Sequence, residues 1–225
     1  MKYLFFFFTA FLAADVAYFQ PPEGWQMVDP KELSPYVQIL FMGKPENNFS
    51  PTVNLAMEKT EATFKEYFKD VKEYHRSNRE ETWRDLGKFP LQCGEGRLTE
   101  ITSSSPAGEI KMLQAIFLKN KTAYIITTAV LKSEFAKYQS ALLQAIRSLT
   151  IAPDLFSAVK QPEEKSKIET AYAALGENTI PEEQRWNEWQ KLLENNSHQM
   201  GEHWRFLALQ EGWSRIHSFE MQKSE

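Results

Sequence analysis

Apolar and polar residues alternate with period two over residues 52–58, which places Val53, Leu55 and Met57 on one face of a half-buried strand. The run before it, residues 36–42, is β-branched and aromatic, ends at Gly43 and reads as a second strand. Lys44, Pro45, Asn47 and Asn48 supply turn chemistry, so the pair forms a hairpin. The period then changes. Phe64, Phe68 and Val71 recur at helical spacing, and Thr63 with Glu66 three residues on fits a capping box. This predicts a helix to about Asn78, with Tyr67 and Phe68 toward the sheet. Residues 82–102 hold short apolar stretches broken by Gly87, Pro90, Gly94 and Gly96, of which only 97–102 alternates as a strand. Residues 103–108 read as a turn or mobile loop. Two long apolar strands, 109–118 and 123–130, flank an Asn120-containing turn and form a second hairpin. Ser133 is the expected cap of a helix whose stripe is Phe135, Tyr138, Leu142, Ala145, Ile146 and Leu149. A short strand, 149–151, closes this body at Pro153.

Beyond residue 160 strand signals vanish. Ile168, Tyr172 and Leu175 mark a short helix stopped by Gly176. Pro181 suits the first turn of a second helix carrying Trp186, Trp189, Leu192 and Leu193, with a break expected at Asn195, Asn196 and Ser197. Met200, Trp204, Leu207 and Glu211 lie along a third. The chain thus divides into an N-terminal segment, an α+β body over 19–152 and an all-helical extension over 160–225.

The N-terminal segment changes the picture of location. Lys2 precedes an apolar run from Leu4 to Ala14, the layout of a secretory signal. The run is shorter than the roughly 20 apolar residues that span a bilayer. Residues 1–17 are read as this signal. A cut after Ala14 fits the small-residue requirement, and one after Ala17 fits less well because Asp15 stands in its way. No cysteine follows the run, so a lipid anchor there is not expected, and the product is periplasmic or secreted. Trp25, behind Pro21, Pro22 and Gly24, is expected to be the first large residue to enter the core.

Cys93 is the only cysteine, so no internal disulfide supports the fold, and a buried inert thiol is the simpler reading of it. The net charge is −4 and all of it falls in the extension, whose 12 acidic side chains face 8 basic ones. Nothing resembles the basic patch that a nucleic acid requires. An acidic extension is repelled by anionic lipid, so membrane association is at most peripheral.

The order hairpin, helix, three more strands, helix, short strand defines the body. With the Pro22-Glu23-Gly24-Trp25 approach and the strand Ala123-Tyr124-Ile125-Ile126-Thr127-Thr128-Ala129, it resembles the Mog1/PsbP-like superfamily over residues 19–152. The helix leading into Ser148-Leu149-Thr150-Ile151 adds to the resemblance. That superfamily includes the photosystem II extrinsic subunit P and bacterial envelope proteins of the DcrB type. The resemblance implies a central antiparallel sheet flanked by helices, an α/β/α sandwich, with a binding or assembly role and no shared catalysis. No metal-binding residue of the family is recognisable, and the helical extension departs from it.

Three kinds of chemistry compete with this reading. Cys93 beside Gly94, with His75 as the only body histidine, is a minimal nucleophile and base for a hydrolase, but a core thiol and a helix-surface histidine explain both. His198, Glu202 and His203 fall on one expected helix. His198 and Glu202 share a face, but His203 lies about 140° away at roughly 100° per residue, and His217 is too distant to complete a zinc site. An apolar pocket between sheet and helix would take a small ligand. No catalytic residue, metal site or cofactor is assigned. Tryptophan is enriched at interfaces, so Trp186, Trp189, Trp204 and Trp213 are the candidate partner-binding residues. The expected function is that of an exported, non-enzymatic binding or assembly protein of the bacterial cell envelope, with an unknown protein partner. The structural alternative is that the tryptophans pack the extension.

Overall fold

A computed structural model describes residues 15–45, 47–177 and 180–221. Residues 1–14, the bulk of the expected signal, lie outside them. Nine strands and five α-helices are described. The strands are β1 (Val16–Tyr18), β2 (Gln26–Met27), β3 (Val37–Met42), β4 (Thr52–Lys59), β5 (Glu81–Leu91), β6 (Gly94–Ser105), β7 (Gly108–Lys119), β8 (Thr122–Leu131) and β9 (Thr150–Ala152). The helices are α1 (Phe64–Ser77), α2 (Phe135–Arg147), α3 (Pro162–Ala174), α4 (Glu182–Met200) and α5 (Glu202–Met221). Seven strands form one antiparallel sheet in the order β2-β3-β4-β8-β7-β6-β5, and β1 pairs with β9 apart from it. The expected α+β sandwich is present: α1 covers one face of the sheet and α2 the other.

Both expected hairpins form, and Asn120 and Lys121 carry the positive φ that a tight hairpin turn needs. Thr63 caps α1 as the sequence predicts: Glu66 accepts from the Thr63 amide at 2.8 Å, and the Thr63 hydroxyl oxygen accepts from the Glu66 amide. The α2 stripe buries Leu142, Ala145 and Ile146. Its start differs from expectation, because Ser133 lies within a 3-10 turn and the helix opens at Phe135 with no side-chain cap.

The region read as broken stretches is two long strands. β5 contains Pro90 without loss because it is the sheet's edge, where one side of the backbone needs no partner. Leu86 is an extra residue bulged between Asp85 and Gly87, with Gly87 at φ +97. Before the bulge Trp83 and Asp85 face α1; after it Phe89 and Leu91 join the core beneath α2. Of the turn or mobile loop expected at 103–108, Pro106 and Ala107 form a turn, with strand on both sides, and the Ala107 amide donates to the Ser105 hydroxyl oxygen.

Val16 and Ala17, counted within the signal, pair with Ala152 and Ile151. Tyr18 and Phe19 enter the interior before Trp25 does, and Phe19 is fully buried. Two apolar cores result. The body core gathers Phe19, Phe41, Leu55, Tyr124, Ile126 and Ile146. The second gathers Tyr18, Leu155, Ile168, Trp189, Leu193 and Trp204.

The break between the last two helices is not at Asn195–Ser197, which lie inside α4. It is at Gly201, with φ +86. A glycine just past a helix end adopts this left-handed geometry without a Cβ clash. A Cβ there would also stand 3.1 Å from the Gln20 side chain. Gly201→Ala is expected to cost about 1–2 kcal/mol, read from the urea unfolding midpoint. Gly176→Ala, which forces no left-handed backbone, is expected to cost less than half as much.

Candidate functional site

The four extension tryptophans separate into two pairs. Trp189 and Trp204 are 1% and 0% exposed, and each indole donates to a carbonyl: Trp189 to Ala208 at 3.2 Å and Trp204 to Leu155 at 2.9 Å. Gly212 lies against the Trp189 ring so closely that any Cβ there would collide with it. These two are core residues, which corrects their assignment as contact residues; large amphipathic rings bury well when the N–H finds an acceptor. Trp213 is 49% exposed and meets the half-buried Trp186 edge to face, with centroids 5.3 Å apart. The His217 ring lies against Trp213 at 4.1 Å.

Trp186 and Trp213 line a groove of about 740 Å³ together with Val16, Leu155, Phe206 and Leu209. A second groove, of about 400 Å³, lies between the short edge strand β2 and α5. Trp25, Met27 and Phe41 line its body side, and Phe206 and Leu209 line its α5 side. Phe206 and Leu209 thus belong to both grooves. Sequence reasoning missed them. The available signal was that α5 is apolar around much of its circumference, which a helix with only one buried face does not require.

His203 sits at the joint of extension and body. It is buried between the rings of Phe19 and Phe41, and its Nδ1 accepts from the Phe19 amide at 3.3 Å. Burial lowers its pKa to about 3. The histidine set that helix geometry already disfavours as a zinc site is divided further: Gly201 breaks the chain between His198 and Glu202, and His203 points inward. The His198 side chain lies outside the described residues. His217 contacts the Trp213 carbonyl.

Cys93 and His75 are on opposite faces of the sheet. Cys93 packs against the body core on the α2 side, and desolvation pushes its thiol up to about 11. His75 is on α1, with its Nδ1 2.6 Å from Glu81. The nucleophile and base of the hydrolase reading are thus kept apart. The gap between sheet and helix exists under α1, where its lining is partly polar.

No family model matches the chain, and no curated protein does. Solved structures do. The cyanobacterial PsbP (CyanoP) of Synechocystis sp. PCC 6803 matches at 13% identity and a TM-score of 0.43, over 64% of this chain and 95% of its own. LpqN of Mycobacterium tuberculosis, described as involved in cell envelope biogenesis, matches at 11% and 0.47, over 63% and 86%. The Saccharomyces cerevisiae Ran-binding protein Mog1p matches at 14% and 0.39, over 60% and 94%.

Two outcomes follow from this geometry. Trp204→Ala is expected to cost about 3–5 kcal/mol and Trp213→Ala about 1 kcal/mol or less, both by urea unfolding. His203 gives the second. Its folded pKa is below the unfolded value of about 6.5, so its contribution is complete above that pH. It is lost as pH falls from about 6.5 toward 3, at about 1.4 kcal/mol per pH unit. His203→Gln, which can still accept from the Phe19 amide, is expected to flatten the stability profile between pH 7.5 and 5.

Proposed function

We propose that the chain is an exported, non-catalytic binding protein that docks an apolar helix of a protein partner along α5. The observation that carries this reading is the pair of grooves sharing Phe206 and Leu209, with half-exposed Trp213 at one side. Exposed tryptophan beside aliphatic walls is the composition of an anchoring pocket. The extension's 12 acidic side chains against 8 basic ones favour a partner whose apolar stripe has basic flanks. The separation of Cys93 from His75 supports a binding role over hydrolysis.

Export rests on the run from Leu4 to Ala14 after Lys2. A cut after Ala14 leaves β1 whole and keeps Asp15, which bonds Asn120 at 3.0 Å and pairs with Lys119 at 3.3 Å. A cut after Ala17 would remove Val16 and Ala17 from their pairing with β9. The envelope of a bacterium is the proposed destination.

The probe for docking is a synthetic amphipathic Leu/Lys helix, titrated while tryptophan fluorescence is followed. Saturable binding is expected, at least tenfold tighter than for the matched Leu/Glu helix, and at least tenfold weaker in Trp213→Ser. Equal affinity for both helices, or a dimer that Trp213→Ser dissociates in sedimentation, would sink the reading. Expressed in a bacterial host, the chain is expected to leave the cytoplasm with Asp15 as its first residue, read by intact mass.

A further inference from the structure

α1 closes unevenly on the sheet. Toward β5 it is sealed: Phe68 packs on Trp83 at 5.9 Å, Arg97 lies over the Phe68 ring, and Asp85 holds Arg97. Toward β4 a cleft of about 510 Å³ remains between helix and sheet. Ile116 and Ile125 from the sheet and Val71 from the helix give it apolar surface. Tyr67 and Tyr74, two helical turns apart, add aromatic surface.

The fixed charges that line it have one sign. Glu58 and Asp70 both line it, and no lysine or arginine does. The two side chains best placed to offer a proton are engaged already. The Tyr67 hydroxyl donates to Glu58 at 2.7 Å, and His75 is hydrogen-bonded to Glu81. Thr60 accepts from the Ala62 amide. The basic residue Lys69 pairs instead with Glu73, outside the cleft lining. The cleft therefore carries carboxylates and tyrosine rings beside an aliphatic floor. An ammonium group is attracted by both, carrying three donors and no acceptor. The two carboxylates repel an anion there.

We propose that this cleft binds a small primary amine carrying an aromatic or aliphatic body. The ammonium group is held by Asp70 and Glu58 and by the tyrosine faces. The body rests on Ile116, Ile125 and Val71. This site is separate from the α5 grooves and shares no lining residue with them.

The test uses the full chain, 15N-labelled, with phenethylamine as the probe and phenylacetate and 2-phenylethanol as isosteric controls. Phenethylamine is expected to bind saturably, with shifts confined to α1, β4, β7 and β8. It is expected to bind at least tenfold more tightly than the alcohol, and phenylacetate not at all. Asp70→Asn and Glu58→Gln are each expected to weaken it at least threefold with an unchanged unfolding midpoint. Trp213→Ser is expected to leave it unchanged, so the two sites fail independently. Equal binding of amine and carboxylate, shifts elsewhere, or wild-type affinity in both charge-removing variants would overturn the proposal. So would a lysine-bearing peptide that binds tenfold more tightly than any free amine, since the site would then read a partner's side chain.

Discussion

The structure depends on one short strand that serves two cores at once. Side chains alternate sides along a strand, and β1 uses both. Val16 and Tyr18 pack into the helical extension, while Ala17 and the following Phe19 pack into the body. Apolar burial supplies the drive but has no direction. Direction comes from hydrogen bonds on either side of the strap. The Phe19 amide donates to His203 of α5, and the Gln20 amide donates to the Ser148 hydroxyl oxygen at 2.7 Å, just past α2. That hydroxyl in turn donates to the Ala145 carbonyl at 2.7 Å. The extension is therefore an integral layer of the fold and not an arm hung from it, because the first described strand and the last described helix meet through a buried amide.

This joint explains what the sequence could and could not show. The elements with strong local signals were legible: the capping box of α1, the hairpin around Asn120 and the stripe of α2 all arise from contacts within a few residues or across one turn. β1 was hidden because its three residues follow the apolar run of the N-terminal segment after a single charge, Asp15. β5 was hidden for another reason. Trp83, Asp85, Phe89 and Leu91 are all odd-numbered and read as one face, with a charge in it and a proline near its end. The bulge at Leu86 divides them between the two faces, so Asp85 meets Arg97 while Phe89 and Leu91 reach the core. No periodicity count reveals a face change made by one extra residue.

The candidate site was legible only in composition. The concentration of tryptophan marked the extension as consequential, but burial depends on helix phase, and phase depended on where α4 ends. With the break placed at Asn195–Ser197, His198, Glu202 and His203 fall on one helix, with His203 on a different face from the other two. With the break at Gly201, α5 begins afresh, and His203 turns toward Phe19 while its neighbour Trp204 turns toward Leu155. A single glycine conformation thus converts a polar cluster into a packing residue.

The same restart determines which apolar side chains remain outside. Gly212 must lie against Trp189, because no other residue leaves room for that ring. His203 must reach the Phe19 amide. Two points, nine residues apart, fix both the rotation and the depth of α5. Phe206, Leu209 and Trp213 then take the positions that remain, along grooves bounded by β2 on one side and by Trp186 on the other. Their exposure is not slack in the packing. Turning α5 to hide them would drive a backbone into Trp189 and leave the buried Phe19 amide without an acceptor, and an unpaired buried amide costs on the order of 1–3 kcal/mol. The apolar surface is held open by the interactions that stabilise the core.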